Sequence, residues 1–279
     1  METKSIKLGD LTFTVDIAGA ADAPAVLLLH GFPETRHMWR HQLPSIAAAG
    51  FRAIAPDQRG YSPGARPAEE GAYATPNIVA DALALMDALN APCFHLVGHD
   101  WGGQIAWLIA TQHPGRVRSL AVLSRPHPAA FARAMQEDTS QAERSHHHRA
   151  FREGDALKQM READLKPLAA ALEAQGVPAA DAGVYIRALR EPGAIEAAMN
   201  WYRAGGLPGS DVKPAEVPTL YIWGTADATV GRCAAELTKD YVQAPYAFVE
   251  LKDAGHFFVD QFPGETTKHL LAWLNAAKP

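Results

Sequence analysis

Apolar positions fall into two alternating patterns along most of this chain. Short runs with strand character are separated by stretches whose apolar residues recur at helical spacing. Residues 11–17 alternate as a half-buried strand, and Ala25-Val26-Leu27-Leu28-Leu29 is a continuous apolar run ending at His30-Gly31. Residues 51–56 form a third expected strand, 78–89 an amphipathic helix, and 94–97 the next strand. A helix over 104–113 closes at Pro114-Gly115, and 117–123 returns to the sheet. This rhythm is that of a mostly parallel, doubly wound α/β sheet covered by helices on both faces.

Between 126 and 214 the rhythm breaks. Helix-forming stretches rich in Ala, Glu, Arg and Leu are punctuated by Gly154, Pro167, Gly176-Val177-Pro178 and Pro192-Gly193, with no strand pattern. Alternation resumes at 218–223, continues through 247–251, and ends in an amphipathic helix carrying Leu270, Leu271, Trp273 and Leu274. The expected organisation is an α/β core over 1–125 and 215–279 with a helical insertion over 126–214. No internal repeat or low-complexity tract interrupts it.

Composition narrows the function classes. With 48% hydrophobic residues over 279 positions, a sizeable core can be buried. A formal net charge of -5 and a pI near 6.2 give no electrostatic footprint for nucleic acid. The one dense basic stretch, 144–152, is largely histidine and reads as an exposed helix face. Residues 1–7 are polar with no apolar run behind them, which argues against a signal peptide. No stretch reaches the apolar length needed to cross a bilayer. Cys93 and Cys233 lie in apolar surroundings and read as reduced, buried side chains. A cytoplasmic protein without nucleic-acid or membrane partners is expected, and a homodimer is left open.

The chemistry centres on Val97-Gly98-His99-Asp100-Trp101-Gly102-Gly103, between an expected strand and an expected helix. Small residues flank Asp100 as they do the nucleophile of a strained strand-to-helix elbow. An aspartate there could also cap the following helix. As a nucleophile, a carboxylate attacking an acyl group would give an anhydride, a poor intermediate. Attack on saturated carbon gives an ordinary ester that water can cleave. Asp100 therefore points to an alkyl electrophile, a strained C–O or a C–halogen bond.

The sequence resembles the α/β-hydrolase family and, within it, the epoxide hydrolases. The resemblance runs through His30-Gly31-Phe32-Pro33-Glu34, Trp39-Arg40-His41-Gln42, Asp57-Gln58-Arg59-Gly60-Tyr61, the Gly-His-Asp-Trp-Gly elbow and Gly255-His256-Phe257. It implies an α/β-hydrolase fold with a helical cap and a cofactor-free, metal-free enzyme. The implied reaction converts a largely apolar small-molecule epoxide to a vicinal diol through an ester on Asp100. By resemblance, Asp227 in Gly224-Thr225-Ala226-Asp227 orients His256, and His256 activates the hydrolytic water. Some relatives carry the acid after the preceding strand. Here that position reads Ser124-Arg125-Pro126, which favours Asp227.

The same resemblance assigns the oxyanion hole to the backbone N–H groups of Phe32 and Trp101, with their side chains as pocket wall. Tyr202, in Met199-Asn200-Trp201-Tyr202-Arg203, is assigned to donate to the epoxide oxygen. The family's other donor tyrosine falls on His147, a departure that bears on ring opening and substrate range. His146 to His148 also read as a solvated helical run, and adjacent helical positions diverge too far to favour a metal site. His30, His95 and His99 are assigned to packing or hydrogen bonding near the sheet. Two other functions fit less well. A haloalkane dehalogenase would share Asp100 and, in Trp101, one of its halide holders, but Phe32 stands at the usual second position after His-Gly. A haloacid dehalogenase of the fluoroacetate type would carry arginine where this chain has Trp101. A non-catalytic ligand-binding protein on this scaffold usually loses a triad member, and this chain keeps all three.

Overall fold

The computed structural model describes residues 1–153, 156–204, 209 and 211–277, with the side chains of His147 and Glu153 outside the described set. Eight strands form one sheet: β1 (Glu2–Leu8), β2 (Leu11–Ala18), β3 (Ala25–Leu29), β4 (Arg52–Pro56), β5 (Phe94–His99), β6 (Val117–Leu123), β7 (Thr219–Gly224) and β8 (Tyr246–Leu251). Their order is β1-β2-β4-β3-β5-β6-β7-β8. The pairs β1/β2 and β2/β4 are antiparallel, and every pair from β4 to β8 is parallel. Every residue of β3, β4, β5 and β7 is buried. That explains their continuous apolar runs, since a parallel strand under helices has no wet face.

Helices α1 (Gln42–Ala48), α2 (Thr75–Ala88) and α3 (Trp101–Gln112) join the first parallel strands. Between β6 and β7 the described residues form only helices: α4 (Pro128–Glu137), α5 (Thr139–Arg144), α6 (His146–Glu153), α7 (Ala156–Glu162), α8 (Lys166–Ala174), α9 (Ala179–Leu189) and α10 (Ala194–Ala204). The chain then adds α11 (Arg232–Leu237), α12 (Phe258–Gln261) and α13 (Pro263–Ala276). No helix among the described residues is long and apolar enough to cross a membrane.

One strand was not read from the sequence, and two readings of the sequence are corrected. The polar N-terminal segment is strand β1, paired with β2 through the turn at Gly9, where φ is +59°. An edge strand wet on both sides carries no apolar alternation to betray it. Cys93 is exposed in the turn before β5 and Cys233 is half-buried, because the apolar neighbours that suggested a core face inward without them. Stretch 144–152 is not a wholly solvated face: Ser145 is buried, and His148 and Phe151 are half-buried against aromatic rings.

The inserted helices are tied to the sheet layer by charge as well as apolar packing. Arg40 pairs with the buried Asp260 carboxylate of α12 and, at 2.6 Å, with Asp181 of α9. The Tyr185 hydroxyl of α9 donates to the same Asp260 at 2.8 Å, and His37 Nε2 lies 2.8 Å from Asp181. Removing one member of such a buried network strands the others. Asp260→Ala should therefore cost about 3–5 kcal/mol in urea unfolding. Tyr185→Phe, which deletes a single hydrogen bond, should cost about 1 kcal/mol in the same measurement.

Candidate active site

Strand order brings the reactive residues together. The chain leaves β3 toward β4 on one side and returns to β5 on the other, so a crevice opens beyond the carboxyl ends of β3 and β5. Leu29 of β3 pairs with Gly98 of β5, and His99 of β5 with Leu123 of β6. The loops after these strands, with those after β7 and β8, deliver Phe32, Asp100, Ser124, Asp227 and His256 to one point.

Asp100 sits at φ 50°, ψ −119°, a conformation that L side chains rarely adopt, between the end of β5 and the first turn of α3. The turn closes because its neighbours lack side chains. A Cβ on Gly102 would strike the Leu29 carbonyl, and one on Gly31 would strike the Asp100 side chain itself. The Phe32 N–H donates to Asp100 Oδ1 at 3.0 Å. The Trp101 N–H opens α3, where backbone donors have no acceptor within the helix.

His256 lies between two carboxylates. Its Nε2 is 3.5 Å from Asp100 Oδ2, and its Nδ1 is 3.0 Å from Asp227 Oδ2. Asp227 is held in turn by three donors on Oδ1: the Thr229 N–H at 2.7 Å, the Thr229 hydroxyl at 2.8 Å and the Val230 N–H at 2.9 Å. The Ser124 hydroxyl donates to Asp227 Oδ2 and lies 2.8 Å from His256 Nδ1. All three charged side chains are withdrawn from solvent, and burial opposes charge on each. Attraction outweighs it. The His256 imidazole, pulled down by burial, is pushed up to about 10 by Asp227 and Asp100. Burial raises the Asp100 carboxyl, but His256, His99 and the Phe32 N–H hold it well below its ordinary range. Asp227 is likewise lowered against burial by His256, Ser124 and Thr229.

A second buried pair lies alongside. His99 Nδ1 is 2.8 Å from Glu34 Oε2, and its Nε2–H donates to the His256 carbonyl at 2.9 Å. Because the carbonyl only accepts, the His99 proton sits on Nε2, and the neighbouring Glu34 raises the imidazole pKa against burial. Of the other sheet histidines, His30 donates from Nδ1 to the Gly31 carbonyl and accepts the Gln58 N–H at Nε2. His95 meets the Ser119 hydroxyl at 2.8 Å, and burial lowers it to about 4.

A cavity of about 330 Å³ opens over Asp100 and His256. Phe32, Phe257 and Thr229 form its floor, and Phe151, Leu168, Leu172 and Tyr202 come from the inserted helices. The Tyr202 ring packs edge-on at 5.1–5.6 Å from Phe32, Trp101 and Phe151, with His148 at 5.5 Å. Burial pushes its hydroxyl well above the ordinary tyrosine value. The His147 backbone lies in α6, but its side chain is outside the described residues. A larger groove of about 570 Å³ lies between α2, α3 and residues 211–213, away from every group above. Among the described residues no three His, Cys, Asp or Glu side chains cluster so as to hold a metal.

Sequence reasoning missed Ser124, Thr229, Glu34 and the inward turn of His148. The first two had a signal: Ser124 directly follows the strand beside the elbow, and Thr229 stands two residues after Asp227, where an Asx turn bonds.

An eight-stranded, mostly parallel sheet with a glycine-flanked elbow at its switch point defines an α/β-hydrolase. The model of the α/β hydrolase fold matches residues 24–143. Epoxide hydrolase A of Mycobacterium tuberculosis is 33% identical over 92% of each chain. Epoxide hydrolase 4 of Mus musculus is 33% identical over 92% of this chain and 75% of its own. In structure, the chain is similar to an α/β-hydrolase epoxide hydrolase from a hot-environment metagenome, with TM-score 0.89, 29% identity and 98% of both chains covered. It is also similar to epoxide hydrolase A of Mycobacterium thermoresistibile, with TM-score 0.84, 26% identity and 98% of both chains covered. This chain belongs to the epoxide hydrolase branch of the α/β-hydrolase family.

The raised His256 pKa makes a stability statement. A folded-state value of about 10 against 6.5 unfolded gives stabilisation that is full below pH 6.5 and lost as pH rises to about 10. Chemical denaturation between pH 7 and 10 should show wild-type stability falling more steeply than that of His256→Gln. Parallel slopes would mean that His256 does not hold its proton in the folded state.

Proposed function

We propose that this chain hydrolyses an epoxide to a vicinal diol in two steps, through an ester between substrate carbon and Asp100. The observation that carries the reading is the residue at the elbow: a half-buried carboxylate, held ionised beside His256, stands where a hydroxyl would serve acyl transfer. The relatives named epoxide hydrolases supply the electrophile. The helices of 126–214 act as a cap, excluding water and supplying Tyr202 and the apolar wall.

In the resting site Asp100 is anionic and His256 is imidazolium. Asp100 attacks a ring carbon, the C–O bond breaks, and the leaving oxygen takes a proton from Tyr202. Burial keeps that hydroxyl protonated over the working pH range, so it is always able to donate. The resemblance assigns the assisting donor to His147, with His148 as a neighbouring ring. Once Asp100 is an ester its charge is gone, and with it one of the two carboxylates that raised His256. His256 can then release its proton, which restores Tyr202 through pocket water, and become a base. It takes a proton from water, hydroxide adds to the Asp100 ester carbon, and the oxyanion meets the Phe32 and Trp101 N–H groups. Collapse frees the diol and returns the carboxylate–imidazolium pair. One water is consumed and every proton is accounted for.

Asp100→Ala should abolish turnover. With His256→Gln, intact-protein mass spectrometry should find an adduct of the whole epoxide mass, whereas a halide-displacing enzyme would retain only the alkyl fragment of a haloalkane. Absence of any adduct would remove the ester from the mechanism. In single-turnover experiments Tyr202→Phe should slow alkylation by about 2–4 kcal/mol in barrier while ester hydrolysis stays within about twofold. His147→Phe should cost less, and His148→Phe serves to separate the two histidines.

A further inference from the structure

Arg125 is a buried cation with no carboxylate paired to it among the described residues. It follows β6 and is 5% exposed. Its Nε donates to the Gln104 side-chain oxygen at 3.1 Å, its guanidinium carbon lies 4.4 Å over the Phe131 ring, and its Nη2 is buried without a hydrogen-bond partner. Arg36 is matched by Asp16 and Asp57, Arg40 by Asp181 and Asp260, and Arg59 by Asp81. Arg52 is matched by backbone carbonyls alone, those of Ala21 and Leu89, its Nε also buried without a partner among the described residues. Leaving a guanidinium in this state opposes folding, because no carboxylate among the described residues offsets its desolvation.

The position of Arg125 relates it to the elbow. Gln104, which accepts from its Nε, is the residue whose N–H closes the first turn of α3 on the Asp100 carbonyl at 3.0 Å. Gly103 faces the Arg125 Cβ so closely that any side chain there would collide with it. Trp107, one turn further along α3, donates its indole N–H to the Arg125 carbonyl at 2.9 Å. The cation is thus fixed against the back of the turn that carries Asp100. Burial pulls its pKa down, and the Asp100 carboxylate is the foremost group pushing it back up, ahead of the Tyr221 and Tyr202 hydroxyls.

We propose that Arg125 is a positioning residue for the hydrolytic half-reaction, a fixed positive charge behind the elbow that favours the return of negative charge to the Asp100 carboxyl group. The inference rests on the ester pathway proposed above. The sign follows from where charge moves. Alkylation removes negative charge from Asp100, whereas addition of hydroxide to the ester and its collapse restore it. A cation on the Asp100 side therefore speeds the second step, whereas in the first it opposes the loss of charge from Asp100 while favouring the charge that Tyr202 gains, and the two effects offset. In a low-dielectric setting a charge several ångströms away changes such a barrier by about tenfold.

The test is Arg125→Met, which keeps the length and apolar contact of the side chain and removes its charge. Stopped-flow and quench measurements on one epoxide should give a hydrolysis rate constant lowered about tenfold, alkylation unchanged within about threefold, and ester accumulating in the steady state. The melting temperature should be equal to or above that of wild type, since an unpaired buried charge has been removed. Arg125→Lys should fall between the two proteins. A lower melting temperature, a failure to fold, an equal loss in both steps, or wild-type hydrolysis would each overturn the proposal. His256→Gln run in parallel separates the two readings. An adduct there with unaltered hydrolysis in Arg125→Met sinks the role of Arg125 alone, while no adduct there sinks the ester pathway.

Discussion

One imidazole held between two carboxylates, in a place that water barely reaches, sets the terms for the rest of the structure. Withdrawn from solvent, none of the three groups would keep its charge alone. His256 keeps its proton because Asp227 and Asp100 flank it, and each carboxylate stays ionised because His256 lies within 3.5 Å. That mutual dependence explains the density of donors around Asp227, where Ser124, Thr229 and Val230 fix the carboxylate that is not consumed. It also makes the arrangement responsive. Altering one carboxylate changes the basicity of the imidazole without any movement of the chain.

The fold answers this electrostatic demand with geometry. Parallel strands all end on one edge, so five consecutive loops can each contribute a group while the strands beneath stay apolar. The strain of a positive φ at Asp100 is sustained by glycines packed against neighbouring backbone, a conformation the surrounding sheet over-determines. Asp260 extends the same logic outward. It lies four residues beyond His256 and is gripped at once by Arg40 below and Tyr185 above, so the histidine loop and helix α9 share an anchor.

Most of the sheet was legible because buried parallel strands announce themselves as apolar runs, and β3 and β6 begin and end where the pattern does. Strand β1 was not, since a polar edge has backbone pairing and no apolar alternation. Helix α3 starts at Trp101, three residues before its clear periodicity, because the glycines that make the elbow weaken the helical signal at its start. In the site, Asp100 stood out directly after a strand between glycines, and the resemblance assigned Asp227 and His256 in the loops after β7 and β8. Ser124 and Glu34 did not, because what they do depends on which loop lies beside theirs, and strand order is not written in local sequence. Arg125 was passed over for the same reason: one arginine in an apolar neighbourhood looks like any surface arginine until its partners are counted.

The cavity wall has a consequence for how such an enzyme diversifies. Its reactive floor is built by loops of the sheet, while Phe151, Leu168, Leu172 and Tyr202 arrive from one contiguous stretch of the chain. One stretch of the chain thus supplies the upper wall of the chamber together with Tyr202, while the floor with Asp100 and His256 comes from the loops of the sheet. Beside the ties of Asp181 and Tyr185, further joints hold this stretch to the sheet loops. Gln141 and Arg144 of α5 reach across to Gly231, Thr229 and the Asp227 carbonyl. A transplanted segment that preserves those contacts would bring a new chamber to an unchanged reaction centre, and one that loses them would slacken the loop carrying Asp227.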